Sequence, residues 1–154
     1  MLPFEDRSAA IRKLNMLHGM ADPIIPYQSS LAYYQAVNDY FGGIEKTKEF
    51  FRYFLVPGFD HTLGGPGVQD IFGYGFRATP QDREHDSLTA LSDWVKFGIA
   101  PERLLAVAFE DGNILNGIIK DHYAYERPCY AYPDHPEFQG GDVNDPGCYE
   151  TGTV

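Results

Sequence analysis

Two short apolar segments, each followed at once by a loop rich in glycine and proline, constrain the fold of this chain most. They cover residues 14–17 and 49–56. Short apolar segments bounded by turn residues are typical of buried strands. Between them an amphipathic helix is predicted, capped by Ser29 or Ser30 and ending at Gly42; its apolar face consists of Leu31, Tyr34, Val37 and Phe41. A strand, a helix and a strand in this order predict two parallel strands joined by a crossover helix.

The following part of the chain predicts one more helix and one more strand. Asp86 or Ser87 can cap a helix that ends at Gly98, and its apolar stripe consists of Leu88, Leu91, Trp94 and Val95. The segment "RLLAVAF" after it is a plausible third strand. The prediction is therefore an α/β fold with about three strands and crossover helices.

Residues 111–154 are expected to form a mostly irregular tail on a core of residues 1–110, because prolines and glycines crowd toward the second half. Both cysteines, Cys129 and Cys148, lie in this tail, without the CxxC spacing of a zinc site. A disulfide that staples the tail is the favoured interpretation, and it implies an oxidising compartment. Two free thiols are the alternative.

The charge of the chain argues against two classes of partner. The net charge is −10 and no run of Lys or Arg occurs. Nucleic acids and anionic membranes both require basic patches, so neither is expected to bind. No apolar segment approaches the length of a membrane span, and the first ten residues lack the basic and apolar regions of a signal peptide.

The loops after the first two strands each contain one residue suited to acid–base chemistry. Asp22 follows the first strand and His61 the second. The carboxyl ends of neighbouring parallel strands share one edge of a sheet, where ligands usually bind. A carboxylate there could fix the tautomer of an imidazole and leave its other nitrogen free to accept a proton. The alternative is that Asp22 only forms the turn before Pro23 and His61 only fills a loop; Asp60 is a poorer orienting group, since neighbours in a loop usually point apart.

The sequence offers no nucleophile to match. The serines are Ser8, Ser29, Ser30, Ser87 and Ser92, and none lies in a G-x-S-x-G segment. Neither cysteine is flanked by a strand, a turn and a helix. Either the chain performs no nucleophilic catalysis, or the nucleophile belongs to sequence outside it.

The other histidines favour structural interpretations. His18 ends the first strand and could be a ligand or a second acid–base group, but a local hydrogen bond that holds the turn is favoured. His85 and His122 have acidic neighbours and are interpreted as solvated surface residues. A metal site formed by His18, Asp22 and His61 is a rival hypothesis without HxxxH or HExxH spacing to support it. No bound cofactor is predicted, because no segment has a phosphate-binding glycine pattern.

Four segments match a known family in the correct order: "HGMADPIIPYQSSLAYY", "FFRYFLVPGFDHTLGGPG", "ALSDWVKFGIAPERLLA" and "RPCYAYPDHPEFQGGDVNDPGCYE". Together they resemble the C-terminal part of the tannase/feruloyl esterase family, whose members are secreted serine esterases with an α/β-hydrolase core and a large inserted lid. The similarity runs from about Leu14 to Tyr149. The resemblance implies that the chain is a C-terminal fragment of an α/β-hydrolase.

The resemblance also implies roles for individual residues. The catalytic acid of the family lies in a G-x-x-D loop, here Asp22, and its catalytic base in a PG-x-x-H loop, here His61. Cys129 and Cys148 correspond to two family cysteines, which favours the disulfide. One position departs from the family: Thr62 stands where a cysteine is common, disulfide-bonded to a cysteine beside the catalytic serine.

The parts that the family places upstream have no counterpart in this sequence. They are the serine nucleophile, the oxyanion hole, and the lid, which is where a structural calcium would be expected. The implied substrate is a small phenolic ester, feruloyl or galloyl, the implied partner is the missing N-terminal part, and the implied location is extracellular. The chain alone is expected to be inactive, because a base without a nucleophile or oxyanion hole lacks most of the transition-state stabilisation. A non-catalytic, divergent fragment or interaction domain is the alternative.

Overall fold

The computed structural model describes residues 12–62, 64–71, 80–110 and 123–153. The elements within them, in chain order, are β1 (Leu14–Gly19), α1 (Tyr27–Phe41), α2 (Ile44–Lys48), β2 (Phe51–Val56), α3 (Ser87–Phe97), β3 (Arg103–Phe109), β4 (Tyr123–Tyr130), β5 (His135–Phe138) and β6 (Tyr149–Gly152). One turn of 3-10 helix, Pro146–Cys148, precedes β6. Strands and helices are mixed along the chain, which confirms the α/β class.

The first two strands form the predicted crossover unit. β1 and β2 pair in parallel, with Leu14 opposite Phe51 and Gly19 opposite Val56. α1 and α2 lie between them in the chain. The pairing has no register shift, and both strands end at the same paired position. The loops that follow the two strands therefore leave the sheet side by side.

Alternate side chains of β2 enter two separate apolar clusters, as the two faces of a strand require. Phe51 and Tyr53 pack against Tyr34 of α1 on one face. The ring centroids of Tyr34 and Phe51 lie 4.9 Å apart at 82°, an edge-to-face arrangement. On the other face, Phe54 and Val56 pack into a cluster that also includes Ala90, Leu104, Ala106 and Cys129. β2 is thus buried on both faces, which fits its nearly continuous apolar sequence.

The two longer helices begin differently from one another. Asp86 caps α3, since its side chain accepts hydrogen bonds from the backbone N–H groups of Leu88 and Thr89, as expected. α1 begins at Tyr27, earlier than either predicted serine cap, and no side chain caps it. Ser30 is therefore available for other contacts. No helix within the described ranges has the length and apolarity needed to cross a membrane.

The tail contains more regular structure than expected. β3 pairs with β4, and β5 with β6, both antiparallel. The expectations of about three strands and of a mostly irregular tail were therefore wrong for residues 123–153; residues 1–11 and 111–122 lie outside the described residues. β4 is not predicted from the sequence because it contains Pro128. A proline has no backbone N–H to donate to a neighbouring strand, so its presence usually argues against a strand. Pro128 sits opposite Leu105 in the observed register.

The predicted disulfide is also wrong, because both cysteines are free thiols. Cys129 lies on β4 with its side chain in the apolar cluster beside Phe54, and burial raises the pKa of its thiol to about 12. Cys148 sits in the 3-10 turn, with its sulfur against the backbone of Gly141. The strand pairing of the tail directs the two sulfurs to different surroundings, and packing rather than a covalent bond holds the tail.

Tyr34 provides a test of the aromatic cluster. Its hydroxyl is buried and has no hydrogen-bond partner among the described residues, and burial raises its pKa to about 12. Since an unsatisfied buried polar group costs free energy, we expect Tyr34→Phe to raise the free energy of unfolding by about 1 kcal/mol in urea denaturation. Tyr40→Phe, on a side chain of the same helix that is 84% exposed, should leave it unchanged. A lower free energy of unfolding in Tyr34→Phe would contradict the conclusion that the Tyr34 hydroxyl is buried without a hydrogen-bond partner.

Candidate active site

The two loops that carry Asp22 and His61 touch through their backbones. A Cβ atom on Gly19 would lie 2.2 Å from the carbonyl oxygen of Phe59 and 2.3 Å from that of Asp60. No side chain fits at those distances, so only glycine permits the contact. The N–H of Ala21 donates to the Phe59 carbonyl at 3.1 Å, which links the first loop to the second.

The second loop folds back on itself before and after His61. Gly65 has φ of +127°, and a Cβ there would lie 2.2 Å from the carbonyl oxygen of Gly58. The N–H of Gly67 donates to the Gly58 carbonyl, and that of Asp60 to the Gly64 carbonyl, both at 2.9 Å. The glycines of this loop therefore allow a compact turn that holds the backbone beside His61.

The structure brings Asp22 and His61 together. Nδ1 of His61 lies 2.8 Å from Oδ2 of Asp22. A carboxylate can only accept, so this contact places the proton on Nδ1 and leaves Nε2 as the proton acceptor. Nε2 has no hydrogen-bond partner among the described residues. The His61 side chain is 38% exposed and that of Asp22 only 4%, so the imidazole faces outward from a buried carboxylate.

Backbone groups hold the other oxygen of the carboxylate. Oδ1 of Asp22 accepts hydrogen bonds from the N–H groups of Ile24 at 2.7 Å and Ile25 at 2.9 Å. Burial by itself raises the pKa of this carboxyl. The hydrogen bonds from Ile25, His61 and Ile24 outweigh burial and lower the pKa to about 2. Asp22 is therefore ionised at neutral pH and well below it.

The remaining candidates near the site differ in their placement. Asp60 accepts a hydrogen bond from the backbone N–H of His61 and makes no hydrogen bond to the imidazole ring. This agrees with the expectation that Asp60 orients the ring less well than Asp22. His18 lies beside Asp22, with Nε2 3.5 Å from Oδ2. The described residues contain no group of three or more His, Cys, Asp or Glu side chains placed to hold a metal ion. The rival hypothesis of a metal at these residues thus has no geometric support.

None of the serines in the described ranges hydrogen-bonds to His61. Ser30 is the serine that the sequence reasoning misjudged: instead of capping α1, its Oγ contacts Nδ1 of His18 at 2.7 Å and the hydroxyl of Tyr53 at 2.8 Å. The pairing itself depends on the crossing of helix and strands, which the sequence does not display.

His85, interpreted as a solvated residue, is largely buried between two carboxylates. Its Nδ1 lies 2.8 Å from Oδ1 of Asp82 and its Nε2 lies 3.2 Å from Oε1 of Glu126 on β4. Partial burial raises the pKa of Asp82, but the hydrogen bonds from His85 outweigh it and leave that pKa lowered. His85 therefore links the segment before α3 to β4 in the tail, and its hydrogen bonds do not involve Asp22.

An apolar cavity of about 420 Å³ lies beside the site loops. Met20 of the first loop and Pro57 of the second contribute to its wall, together with Leu55, Tyr130, Tyr132, Pro133, Asp134, His135 and Pro136. Its volume falls in the range of small-molecule pockets, and its wall is mostly apolar and aromatic. Such a wall suits an aromatic ring.

Comparisons with known proteins agree on one family. The model of the family "Tannase and feruloyl esterase" matches residues 2–150. An uncharacterised esterase from Xanthomonas campestris pv. campestris is 36% identical over 147 residues, which is 86% of this chain and 24% of that protein. A probable feruloyl esterase B-2 from Aspergillus fumigatus is 33% identical over 141 residues, 90% of this chain and 26% of that protein.

Solved structures give the same result. The crystal structure of an esterase from Aspergillus oryzae matches with a TM-score of 0.80 and 28% identity, over 90% of this chain and 27% of that one. Feruloyl esterase B from Aspergillus oryzae matches with a TM-score of 0.78 and 26% identity, over 97% of this chain and 28% of that one. The chain thus spans about a quarter of the length of the curated relatives it matches.

The acid stability of the chain should report on Asp22. Its pKa of about 2 lies below the ordinary value of 3.8, so the ionised form is favoured by folding. The stability it contributes is present above roughly pH 4 and is lost as the pH falls through about 2. Carbon NMR of the carboxyl group should show this low midpoint. In Asp22→Asn the free energy of unfolding should change less between these pH values than in the wild type; an equal change would show that other carboxyls carry the effect.

Proposed function

Because the chain belongs to the tannase and feruloyl esterase family, we propose that Asp22 and His61 are the acid and base of a Ser–His–Asp triad that hydrolyses carboxylic esters. The observation that carries the proposal is the 2.8 Å contact between His61 Nδ1 and Asp22 Oδ2, with Nε2 left open. The nucleophilic serine belongs to sequence outside this chain. A non-catalytic interaction domain would not require this contact.

The arrangement suits both proton transfers of acyl transfer. Nε2 of His61 takes the proton of the serine hydroxyl as the serine oxygen attacks the ester carbonyl. The imidazolium that forms is stabilised by the Asp22 carboxylate, and it then gives its proton to the oxygen of the leaving alcohol. In the second half, His61 removes a proton from water, the hydroxide adds to the acyl-enzyme, and the carboxylic acid leaves as the serine regains its proton.

We propose a phenolic ester as the substrate. Seven curated relatives carry the name probable feruloyl esterase, and feruloyl esterase B is one of the matching structures. The apolar cavity beside Met20 and Pro57 offers a wall of aromatic and aliphatic side chains for the aromatic part of such an ester. Secretion of the full-length protein is proposed on the family resemblance alone, since the free cysteines give no argument for an oxidising compartment.

The proposed partner is the nucleophile-bearing part of the same protein. Within the described residues, β1 pairs only with β2, so its outer edge is open. An open edge of a parallel sheet presents unpaired backbone groups and can accept a further strand. Thr62 is exposed next to His61 and has no thiol. The alignment of base and nucleophile therefore relies on this strand pairing and on packing, without the disulfide that the family commonly has at this position.

A chimera tests the proposal. The chain alone should not hydrolyse methyl ferulate above background. It should support hydrolysis when it replaces the corresponding C-terminal quarter of feruloyl esterase B from Aspergillus oryzae. In that chimera, His61→Ala and Asp22→Asn should each lower kcat by about 10³- to 10⁴-fold, because either change removes the oriented base.

The matched control is Asp39→Asn, which changes an exposed carboxylate on α1 and should leave kcat unaltered. An active chimera that tolerates His61→Ala would contradict the assignment of the base. Turnover by the chain alone, lost with His61→Ala, would contradict the proposal that the nucleophile lies elsewhere.

A further inference from the structure

His18 has more polar contacts than a turn histidine requires. It is the fifth residue of β1, and its side chain points to the same face as Met16, toward α1. Nε2 lies 3.0 Å from the carbonyl oxygen of Ile25 and 3.5 Å from Oδ2 of Asp22. Nδ1 lies 2.7 Å from Oγ of Ser30. Both ring nitrogens are therefore engaged, and one of them faces the carboxylate that holds His61.

The hydrogen-bond partners of His18 indicate where its ring proton lies. The Ile25 carbonyl can only accept, so the proton of His18 lies on Nε2. Ser30 Oγ lies 2.7 Å from Nδ1 and 2.8 Å from the Tyr53 hydroxyl, and its single proton is shared between two acceptors, Nδ1 and the Tyr27 carbonyl at 2.9 Å. Tyr53 is fully buried in the aromatic cluster, and this contact gives its hydroxyl a partner there. A series of hydrogen-bonded groups thus runs from Tyr53 on β2 through Ser30 on α1 to His18 on β1 and ends at the Asp22 turn.

The turn after Asp22 is held from both sides. Asp22 accepts from the N–H groups of Ile24 and Ile25, and His18 donates to the Ile25 carbonyl. The loop between β1 and α1 is exposed at Ile24 and Ile25, so apolar burial does not fix it. The hydrogen bond from His18 ties the far end of this turn to β1.

We propose that His18 is a positioning residue: through Nε2 it fixes the Asp22 turn and faces Oδ2, so that the carboxylate meets His61 at hydrogen-bond distance. Ser30 and Tyr53 in turn fix the ring of His18. For its catalytic meaning this inference rests on the proposed function, but the positioning itself is a property of this chain. It also accounts for the polar group Ser30 Oγ next to an aromatic cluster.

Ser30, His18 and Asp22 follow one another in space in the order of a catalytic triad. Their contacts favour a structural role for Ser30, because three polar groups surround its Oγ: the His18 ring, the Tyr53 hydroxyl and the Tyr27 carbonyl at 2.9 Å. A nucleophile needs an open approach to its oxygen, whereas this oxygen is saturated with local partners.

Nuclear magnetic resonance on the labelled full chain tests the proposal without turnover. The two readouts are the titration midpoint of the Asp22 carboxyl and the tautomer of His61, read from its ring nitrogens. In His18→Ala the Asp22 midpoint should rise from about 2 toward 3.8, and His61 should lose its fixed Nδ1–H tautomer. In His18→Gln the amide can still donate to the Ile25 carbonyl, so both readouts should return close to wild type.

Ser30→Ala removes only a hydroxyl and should move both readouts in the same direction by less, whereas Ser29→Ala, on the exposed neighbour, should move neither. An unchanged Asp22 midpoint in folded His18→Ala overturns the proposal, and so does a His18→Gln variant that behaves like His18→Ala. If His18→Ala does not fold, Ser30→Ala decides: a raised midpoint supports the proposal and an unchanged one overturns it. An inactive chimera would reject the proposed function and leave these outcomes readable.

Discussion

The candidate site depends on the place where the backbone of Gly19 crosses the carbonyls of Phe59 and Asp60. At 2.2 and 2.3 Å from a hypothetical Cβ, the contact admits no side chain. It brings the loops after β1 and β2 together at the level of their main chains, and the bond from the Ala21 N–H locks them. The distance between Asp22 and His61 is thus set by backbone packing. A contact between long side chains would define this distance less well, because each additional rotatable bond adds conformational freedom.

Within that frame the two side chains have opposite environments. Asp22 is buried, and burying a charge is costly unless donors compensate. Here two backbone N–H groups and the His61 ring compensate, so the carboxylate keeps its charge down to about pH 2. His61 is partly exposed and keeps one nitrogen open. In the proposed mechanism the partly exposed imidazole exchanges protons beside a buried carboxylate that keeps its charge, which is the division of roles that base catalysis needs.

Sequence reasoning succeeded where local patterns decide and failed where distant segments meet. The parallel pair of strands followed from two apolar segments and a helix between them, and the meeting of Asp22 and His61 followed from that topology. The cysteines were misassigned because their fate depends on the register of β4 against β3, which places the Cys129 sulfur in the core. Pro128 concealed β4 itself. Ser30 looked like a cap because the crossing of α1 over β1 cannot be read from the sequence.

Both proposed catalytic residues come from one strand–helix–strand unit. The loop contact at Gly19 and the His18 network join the turns of the proposed acid and base to the same pair of strands. The distance between Asp22 and His61 is therefore defined within this unit. In the proposed function, the critical geometry is the position of the unit relative to the serine. Under this proposal that geometry depends on the outer edge of β1 and the surroundings of Thr62, because no thiol stands beside His61 to bind the two parts covalently. If the proposed function holds, changes at that edge should lower kcat by displacing the nucleophile while leaving the contact between Asp22 and His61 intact.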